Sequence, residues 1–521
     1  MKYITNKSSL LFLLLSVFSI PSLFAQEKGL DQQIDEAFKP FSDAISNIIF
    51  FQILGVPFVL ILLVGSALFF TIYFGFVNIR RFPTAINVVR GKYDELDESH
   101  GGKDSGESEE GEVTHFQALA TAVSGTVGNG NIAGVALAIA LGGPGATFWM
   151  VICGLLGMSS KFVECTLGVQ YRDVGEDGTI YGGPMYYISK GLKERGFTML
   201  GKVAAVFFAI FCIGGSFGGG NAAQSNQATI VLKDLMNLES SAAGFWIGIV
   251  LAVLVGIIII GGIKRIAQVT EKVVPFMAVM YVVACLYIIL SNFTLIDDAF
   301  ALIFAEAFNP TAIGVGSFIG VLLVGFKRAA FSNEAGAGSA SIAHSAVKTK
   351  YSASEGLVAL LEPFIDTVVI CTMTALVIVI FNFGGAFQYG GEGAVMIDGI
   401  SYEGAGITSK AFAQYIPFSE VFLTIAVVLF AVSTMISWSY YGLQSWKYLF
   451  GRGKAADLAY KLLFLTFVII GASASMNSIW AFSDAMIFAM VFPNMVGLFF
   501  LFPVVKKELN RYLKAIRTIE G

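Results

Sequence analysis

Thr126, Asn129 and Asn131 stand among glycines in Ser124-Gly125-Thr126-Val127-Gly128-Asn129-Gly130-Asn131-Ile132-Ala133-Gly134, within an otherwise apolar stretch. Glycines let a helix unwind there without steric penalty. Unwinding frees N–H groups on one half-helix, which attract a carboxylate, and C=O groups on the other, which coordinate a cation. The oxygens of Thr126, Asn129 and Asn131 are neutral ligands suited to a hard ion such as Na+. About 200 residues later comes a second interruption, Gly325-Phe326-Lys327-Arg328-Ala329-Ala330-Phe331-Ser332-Asn333-Glu334-Ala335-Gly336-Ala337-Gly338-Ser339. Glu334 is an acid at membrane depth, where acids are paired or functional. Two readings stay open for it: a structural ion pair with Lys327 or Arg328, or proton or ion coupling. Phe326 and Phe331 offer apolar walls for a small pocket.

Two further segments carry polar groups in apolar surroundings. Gly214 to Gln227 holds Asn221, Gln224, Asn226 and Gln227, more amides than helix-to-helix glue requires, which points to a pocket wall. Phe430 to Gly442 sets Ser433 beside Thr434 in a long helix. A Ser or Thr normally bonds its own helix's carbonyls. With the Phe430 carbonyl a turn earlier, the pair can also complete an oxygen cage for Na+.

The elements that position these residues are membrane-spanning helices. The chain has 521 residues, 56% hydrophobic and only 13% charged, with a mean hydropathy of +0.74. Soluble proteins carry roughly 25% charged residues. Eleven apolar runs are long enough to cross a bilayer, near 51–77, 115–141, 146–170, 202–232, 243–262, 273–291, 311–344, 356–382, 417–446, 457–474 and 478–503. Lys2 and Lys7, the run Leu10 to Ile20 and Ser22-Leu23-Phe24-Ala25 read as a signal peptide, 1–25, cleaved after Ala25. Residues 26–50 then form a periplasmic or extracellular segment. Alternate loops carry the positive charge, among them Arg80, Arg81, Lys190, Lys193, Lys264, Arg265 and Lys447. That excess marks the inside and agrees with an outside mature N-terminus and a cytoplasmic C-terminus.

The span 51–77 is an extra helix, followed by an acidic cytoplasmic loop, 78–114, whose Asp94 to Glu112 stretch holds nine Asp and Glu residues. Low hydrophobicity and high charge make that stretch a solvated loop. The remaining ten spans fall into two sets of five, 115–291 and 311–503, before a basic cytoplasmic tail, 504–521. Five is odd, so the second set starts from the opposite side of the membrane. Each set opens with an interrupted helix. The outside segment 383–410 is long and Gly-rich, read either as a gate or as a surface loop. The five cysteines form no ligand cluster, and the three histidines form no HExxH. No nucleophile or metal constellation supports an enzyme, and no nucleic-acid or protein partner is legible.

The run Thr126–Gly134 continuing to Leu141-Gly142-Gly143-Pro144-Gly145, with Gly182-Gly183-Pro184-Met185-Tyr186-Tyr187, resembles the alanine or glycine:cation symporters. So do Phe331–Ser339 with Ile342-Ala343-His344, Glu362-Pro363-Phe364-Ile365-Asp366-Thr367, and Ser433–Gly442. The likeness runs from about residue 51 to 505. It implies an all-α polytopic membrane protein with the 5+5 inverted-repeat amino-acid transporter fold plus one N-terminal helix. It implies import of alanine or glycine by sodium symport and alternating access, in the bacterial cytoplasmic (inner) membrane. The alternatives are proton-coupled symport of the same substrates and sodium-coupled import of another small amino acid. By the resemblance, Na+ sits on Ser124, Val127, Phe430, Ser433 and Thr434. The substrate carboxylate lies near the backbone of Asn129 and Gly130, with Thr126, Gly128, Asn131, Gln224, Phe326, Ala330 and Trp438 around the rest.

Overall fold

The structure is a computed structural model and describes residues 29–98, 111–176, 178–309, 317–391 and 393–520. The expected signal peptide and most of the acidic Asp94–Glu112 stretch lie outside the described residues. An amphipathic helix, α1 (Leu30–Ile49), lies across the helix ends at one end of the molecule. Its Asp31 accepts the N–H groups of Gly244 (3.2 Å) and Phe245 (3.3 Å) and pairs with Lys233 (3.2 Å). A carboxylate there complements the positive end of the next helix's dipole. The run 51–77 is not one continuous helix. It opens with a hairpin, β1 (Gln52–Ile53) against β2 (Val56–Pro57), before α2 (Phe58–Tyr73).

The first interrupted helix is α3 (His115–Thr126), a break, a π-helical turn at Gly130–Gly134 and α4 (Val135–Gly142). Its two halves meet at 50°. A capping box starts α3, with Thr114 and Gln117 each accepting the other's N–H. Next come α5 (Gly145–Gln170), the hairpin β3 (Asp173–Val174) with β4 (Ile180–Tyr181), and α6 (Pro184–Glu194). Helix α7 (Thr198–Phe217) runs through a π turn at Gly218–Ala222 into α8 (Ala223–Met236), followed by α9 (Ala243–Ile259) and α10 (Gly262–Ser291).

After the connecting helix α11 (Ile296–Phe308) the same order returns. An interrupted helix, α12 (Phe318–Asn333) with α13 (Ser341–His344), precedes α14 (Ser352–Ala359), a π-helix at Phe364–Cys371 and α15 (Thr372–Asn382). The hairpin β5 (Ala394–Ile397) with β6 (Ile400–Glu403) leads to α16 (Ala405–Ala413). Then come α17 (Ser419–Phe450), α18 (Lys454–Ser473) and α19 (Met476–Glu520). Broken helix, long helix, hairpin, short helix and three more spans thus occur twice.

Among the described residues seven helices are long and apolar enough to cross a membrane, or eight if the bent pair is one span. Helices α2 and α9, with 16 and 17 residues, are apolar but shorter, so a count of eleven does not follow from length alone. Large apolar side chains on α9 and α10, such as Val250, Val253, Phe276 and Val279, face outward. Both breaks are buried: Ser124, Val127 and Asn131 at one, Ser332, Asn333 and Glu334 at the other.

Candidate ion and substrate site

The first break is tied to the middle of α17. Ser124 donates its hydroxyl to the Ser433 carbonyl (2.8 Å), and Thr434 returns a bond to the Ser124 carbonyl (3.0 Å). Ser433 donates to the Phe430 carbonyl (2.9 Å). A Cβ on Gly128 would overlap the Thr434 hydroxyl, so only glycine lets the unwound backbone pass that close. Hydrogen bonds therefore join Ser124, Phe430, Ser433 and Thr434 in one network, and Val127 caps the end of α3 three residues after Ser124. Hydroxyl and carbonyl oxygens without formal charge are the donors a Na+ ion prefers. Here the hydroxyl protons sit on the carbonyls.

The freed N–H groups of the break are held by amide oxygens. Gly128 donates to Asn131 Oδ1 (2.9 Å) and Asn129 to Gln224 Oε1 (3.0 Å). The Asn129 amide donates to the Gln224 carbonyl (3.2 Å), while its own Oδ1 is buried without a partner. Gln224 in turn donates to Gly219 (2.9 Å). Two amide oxygens thus occupy the positions that a carboxylate would take. Thr126 turns away, its hydroxyl directed at the carbonyls of Ala122 (3.3 Å) and Val123 (3.4 Å) on its own helix. The segment 383–410 packs on this break: Thr408 of α16 donates to the Ile132 carbonyl (3.1 Å), and Gly390 to that of Ala140 (2.8 Å).

At the second break α12 ends on Asn333, and Glu334 takes a left-handed conformation (φ 55°). Gly336 (φ 92°) and Gly338 (φ 90°) continue the reversal, where an L side chain is strained. The ion-pair reading of Glu334 does not hold. Lys327 (2.9 Å) and Arg328 both pair with Asp484, while Glu334 accepts the Trp438 indole N–H (2.9 Å) and the Ser339 hydroxyl (2.5 Å). Trp438 therefore belongs to the second break rather than to the first. Ala330 accepts the Glu334 N–H (3.0 Å), closing the last helical turn. Phe326 sits edge-on to Trp149, with ring centroids 5.9 Å apart.

Sequence reasoning passed over Asp366, which joins the two interrupted helices. On the first, Asn131 donates to Asp366 Oδ1 (2.7 Å) and to its carbonyl (3.0 Å). On the second, Ser332 donates to the same carboxylate (2.9 and 3.1 Å), and Thr367, next to Asp366 in the chain, donates to it as well (2.7 Å). Also unanticipated is a buried ionic cluster. Lys161 pairs with Glu362 (3.0 Å), and Glu355 binds His344 (2.5 Å) and His115. Both acids occur in the sequence as polar residues within an apolar run, but their partners are distant in the chain.

A family model described as the sodium:alanine symporter family matches residues 39–520. The sodium/alanine symporter AgcS of Methanococcus maripaludis is 39% identical over 458 residues, covering 88% of this chain and 94% of that protein. The probable sodium/glutamine symporter GlnT of Bacillus subtilis is 31% identical over 456 residues, 87% of each chain. Among solved structures, MhsT in complex with L-phenylalanine superposes with a TM-score of 0.51 at 14% identity, covering 77% of this chain and 100% of that one. That likeness shows the fold, an inverted-repeat transporter architecture.

Proposed function

Because the chain belongs to the sodium:alanine symporter family, we propose that this multi-pass membrane transporter imports alanine or glycine together with Na+. The meeting of Ser124, Phe430, Ser433 and Thr434 at the first break carries this reading. Na+ binds the carbonyls of Ser124, Val127 and Phe430 and the hydroxyls of Ser433 and Thr434. The amino acid's carboxylate displaces the Asn131 and Gln224 oxygens from the Gly128 and Asn129 N–H groups, which leaves both amides free to turn toward the substrate. Phe326, Ala330 and Trp438 bound the pocket from the second broken helix and α17. The mature N-terminus lies outside the bacterial cytoplasmic membrane and the C-terminus inside.

Sodium binding in a seam between two helices couples to access because it favours the conformation in which that seam is closed. The test is uptake of labelled L-alanine and glycine into proteoliposomes, with Na+ replaced by K+ and at several pH values. Accumulation against the gradient only with inward Na+ is expected. Equal uptake in both salts sinks sodium coupling; accumulation driven by a pH gradient alone makes the proton the coupling ion. The GlnT likeness makes glutamine the competitor to include.

A further inference from the structure

Helices α9 and α18 run antiparallel and touch closely near the start of α9. A Cβ on Gly244 would lie 2.4 Å from the Ala472 carbonyl oxygen, and one on Gly248 2.9 Å from the Ile469 Cα. Beyond that contact the pair opens into a groove of about 480 Å³. Val253, Ile257 and Ile260 of α9 and Leu458 and Leu462 of α18 line it, each more than half exposed. Gly256 lines it too, and a Cβ there would meet only the Leu465 methyl groups (3.3 and 3.8 Å).

The dimensions and the charges of this groove are both informative. From Ile249 to Ile260 it follows α9 for about 16 Å, at roughly 1.5 Å per residue. That is half of a ~30 Å hydrocarbon core, the depth of one leaflet. The Ile260 end is the charged one. Lys461 lines the groove from α18, its side chain 17% exposed, and pairs with Asp457 (2.7 Å), which Lys447 also approaches (3.5 Å). Arg265 folds back over the turn that follows α9, where a Cβ on Gly261 would lie 2.3 Å from its Cδ. Lys264 and Arg265 are exposed and have no acidic partner among the described residues. Four cations therefore share one carboxylate at this end, the cytoplasmic end in the proposed orientation.

We propose that the groove between α9 and α18 binds one anionic phospholipid of the inner leaflet. An acyl chain lies against Ile257 and Leu462, and the headgroup phosphate meets Arg265 and Lys461. A lysine stem can line an apolar trough while its ammonium reaches the interface, and basic clusters at the inner surface attract anionic headgroups. A second copy of the chain fits less well, because a two-fold interface would set the same patch of each copy, cations included, face to face. The lipid braces α18, and α18 holds the segment that carries Gln224: Asn221 donates to the Phe464 carbonyl (2.6 Å) and Asn226 to that of Gly471 (3.1 Å).

The test titrates purified, delipidated protein with phosphatidylglycerol and with phosphatidylethanolamine. Bound lipid is counted by native mass spectrometry, with thermal stability followed in parallel. One variant, Arg265→Gln with Lys461→Gln, removes charge; another, Gly256→Leu, fills the trough. Wild type is expected to hold one phosphatidylglycerol per chain about tenfold or more tighter than phosphatidylethanolamine, the scale of two basic contacts at the surface. The charge variant loses that preference, Gly256→Leu weakens both lipids, and neither shows the rise in thermal stability that phosphatidylglycerol gives wild type. Phosphatidylglycerol binding of wild-type strength in either variant, or equal binding of the two lipids by wild type, overturns the proposal. So does a wild-type dimer that retains no lipid and that Gly256→Leu disrupts, which gives the groove to a second copy. Should the double variant fail to fold, Arg265→Gln alone, an exposed and unpaired position, is read by the same criteria.

Discussion

Replacing Thr434 with valine removes one hydroxyl and little volume from the seam between α3 and α17. That hydroxyl donates to the Ser124 carbonyl at 3.0 Å. If its oxygen is also a Na+ ligand, the ion loses one charge-assisted contact, about 1.5–3 kcal/mol. At 1.4 kcal/mol per tenfold, the Na+ concentration for half-maximal alanine uptake rises about 10- to 150-fold. Ser124→Ala provides the contrast. Its hydroxyl donates to the Ser433 carbonyl at 2.8 Å in the same seam, but the proposed ligand is its backbone carbonyl, which the substitution keeps. Ser124→Ala therefore costs stability, about 1 kcal/mol, and leaves the sodium dependence close to wild type. The assay is initial-rate uptake into proteoliposomes across a Na+ series, with thermal stability measured in parallel. Equal shifts in the two variants, or none in a folded Thr434→Val, refute the assignment, because both bonds would then be helix lacing alone.

Gly128→Ala places a methyl group against the Thr434 hydroxyl and 3.1 Å from Gln224 Oε1. Overpacking of about 1–3 kcal/mol should cut sodium-dependent uptake roughly 5- to 150-fold while the purified protein remains monodisperse, as chromatography will show. Lys161→Met leaves the buried Glu362 with only the more distant His344 ring (3.6 Å) as a cationic partner and should destabilise by up to about 3–5 kcal/mol. Adding Glu362→Gln should recover part of that loss in a thermal-unfolding cycle. If the expected cleavage after Ala25 occurs, mass spectrometry of the protein purified from its native membrane should show a chain beginning at Gln26.

The first break was legible because glycine, Asn and Thr are each costly in a membrane helix, so their cluster had to mean unwound backbone. The Ser433–Thr434 pair needed the family resemblance as well, since hydroxyls in a helix usually satisfy themselves locally. Of the two readings open for Glu334, the ion pair fails because nearness in sequence is not nearness in space. At the left-handed turn the chain reverses, which carries the carboxylate to Trp438 and leaves Lys327 and Arg328 facing Asp484. Asp366 went unread because all its partners but Thr367 come from distant segments, and a π-helix has no residue pattern of its own. The hairpin before α2 was hidden in an apolar run, where hydrophobicity alone does not separate strand from helix.

The bonds around the two breaks are of two kinds, and their placement bears on how the molecule can move. Within one group of helices the ties are ionic and buried: Lys161 of α5 to Glu362, and Glu355 of α14 to His344 of α13 and His115 of α3. Breaking such a pair strands a charge, so α3, α5, α13 and α14 should move as one body. Across to α17 the ties are hydrogen bonds without paired charges, Ser124 to Ser433, Thr434 to Ser124 and Trp438 to Glu334. Each contributes about 1 kcal/mol, somewhat more for Glu334 if its carboxyl is ionised, and can be exchanged for water when the seam opens. A cation in the Ser124–Thr434 seam adds ligands from both bodies at once. Its binding energy is then available only when the seam is closed, and a ligand shifts an equilibrium only by its differential affinity for the two states. If the proposed seam is the sodium site, the ion acts as the latch of the weaker interface, while the ionic cluster keeps the body built from α3, α5, α13 and α14 from yielding internally.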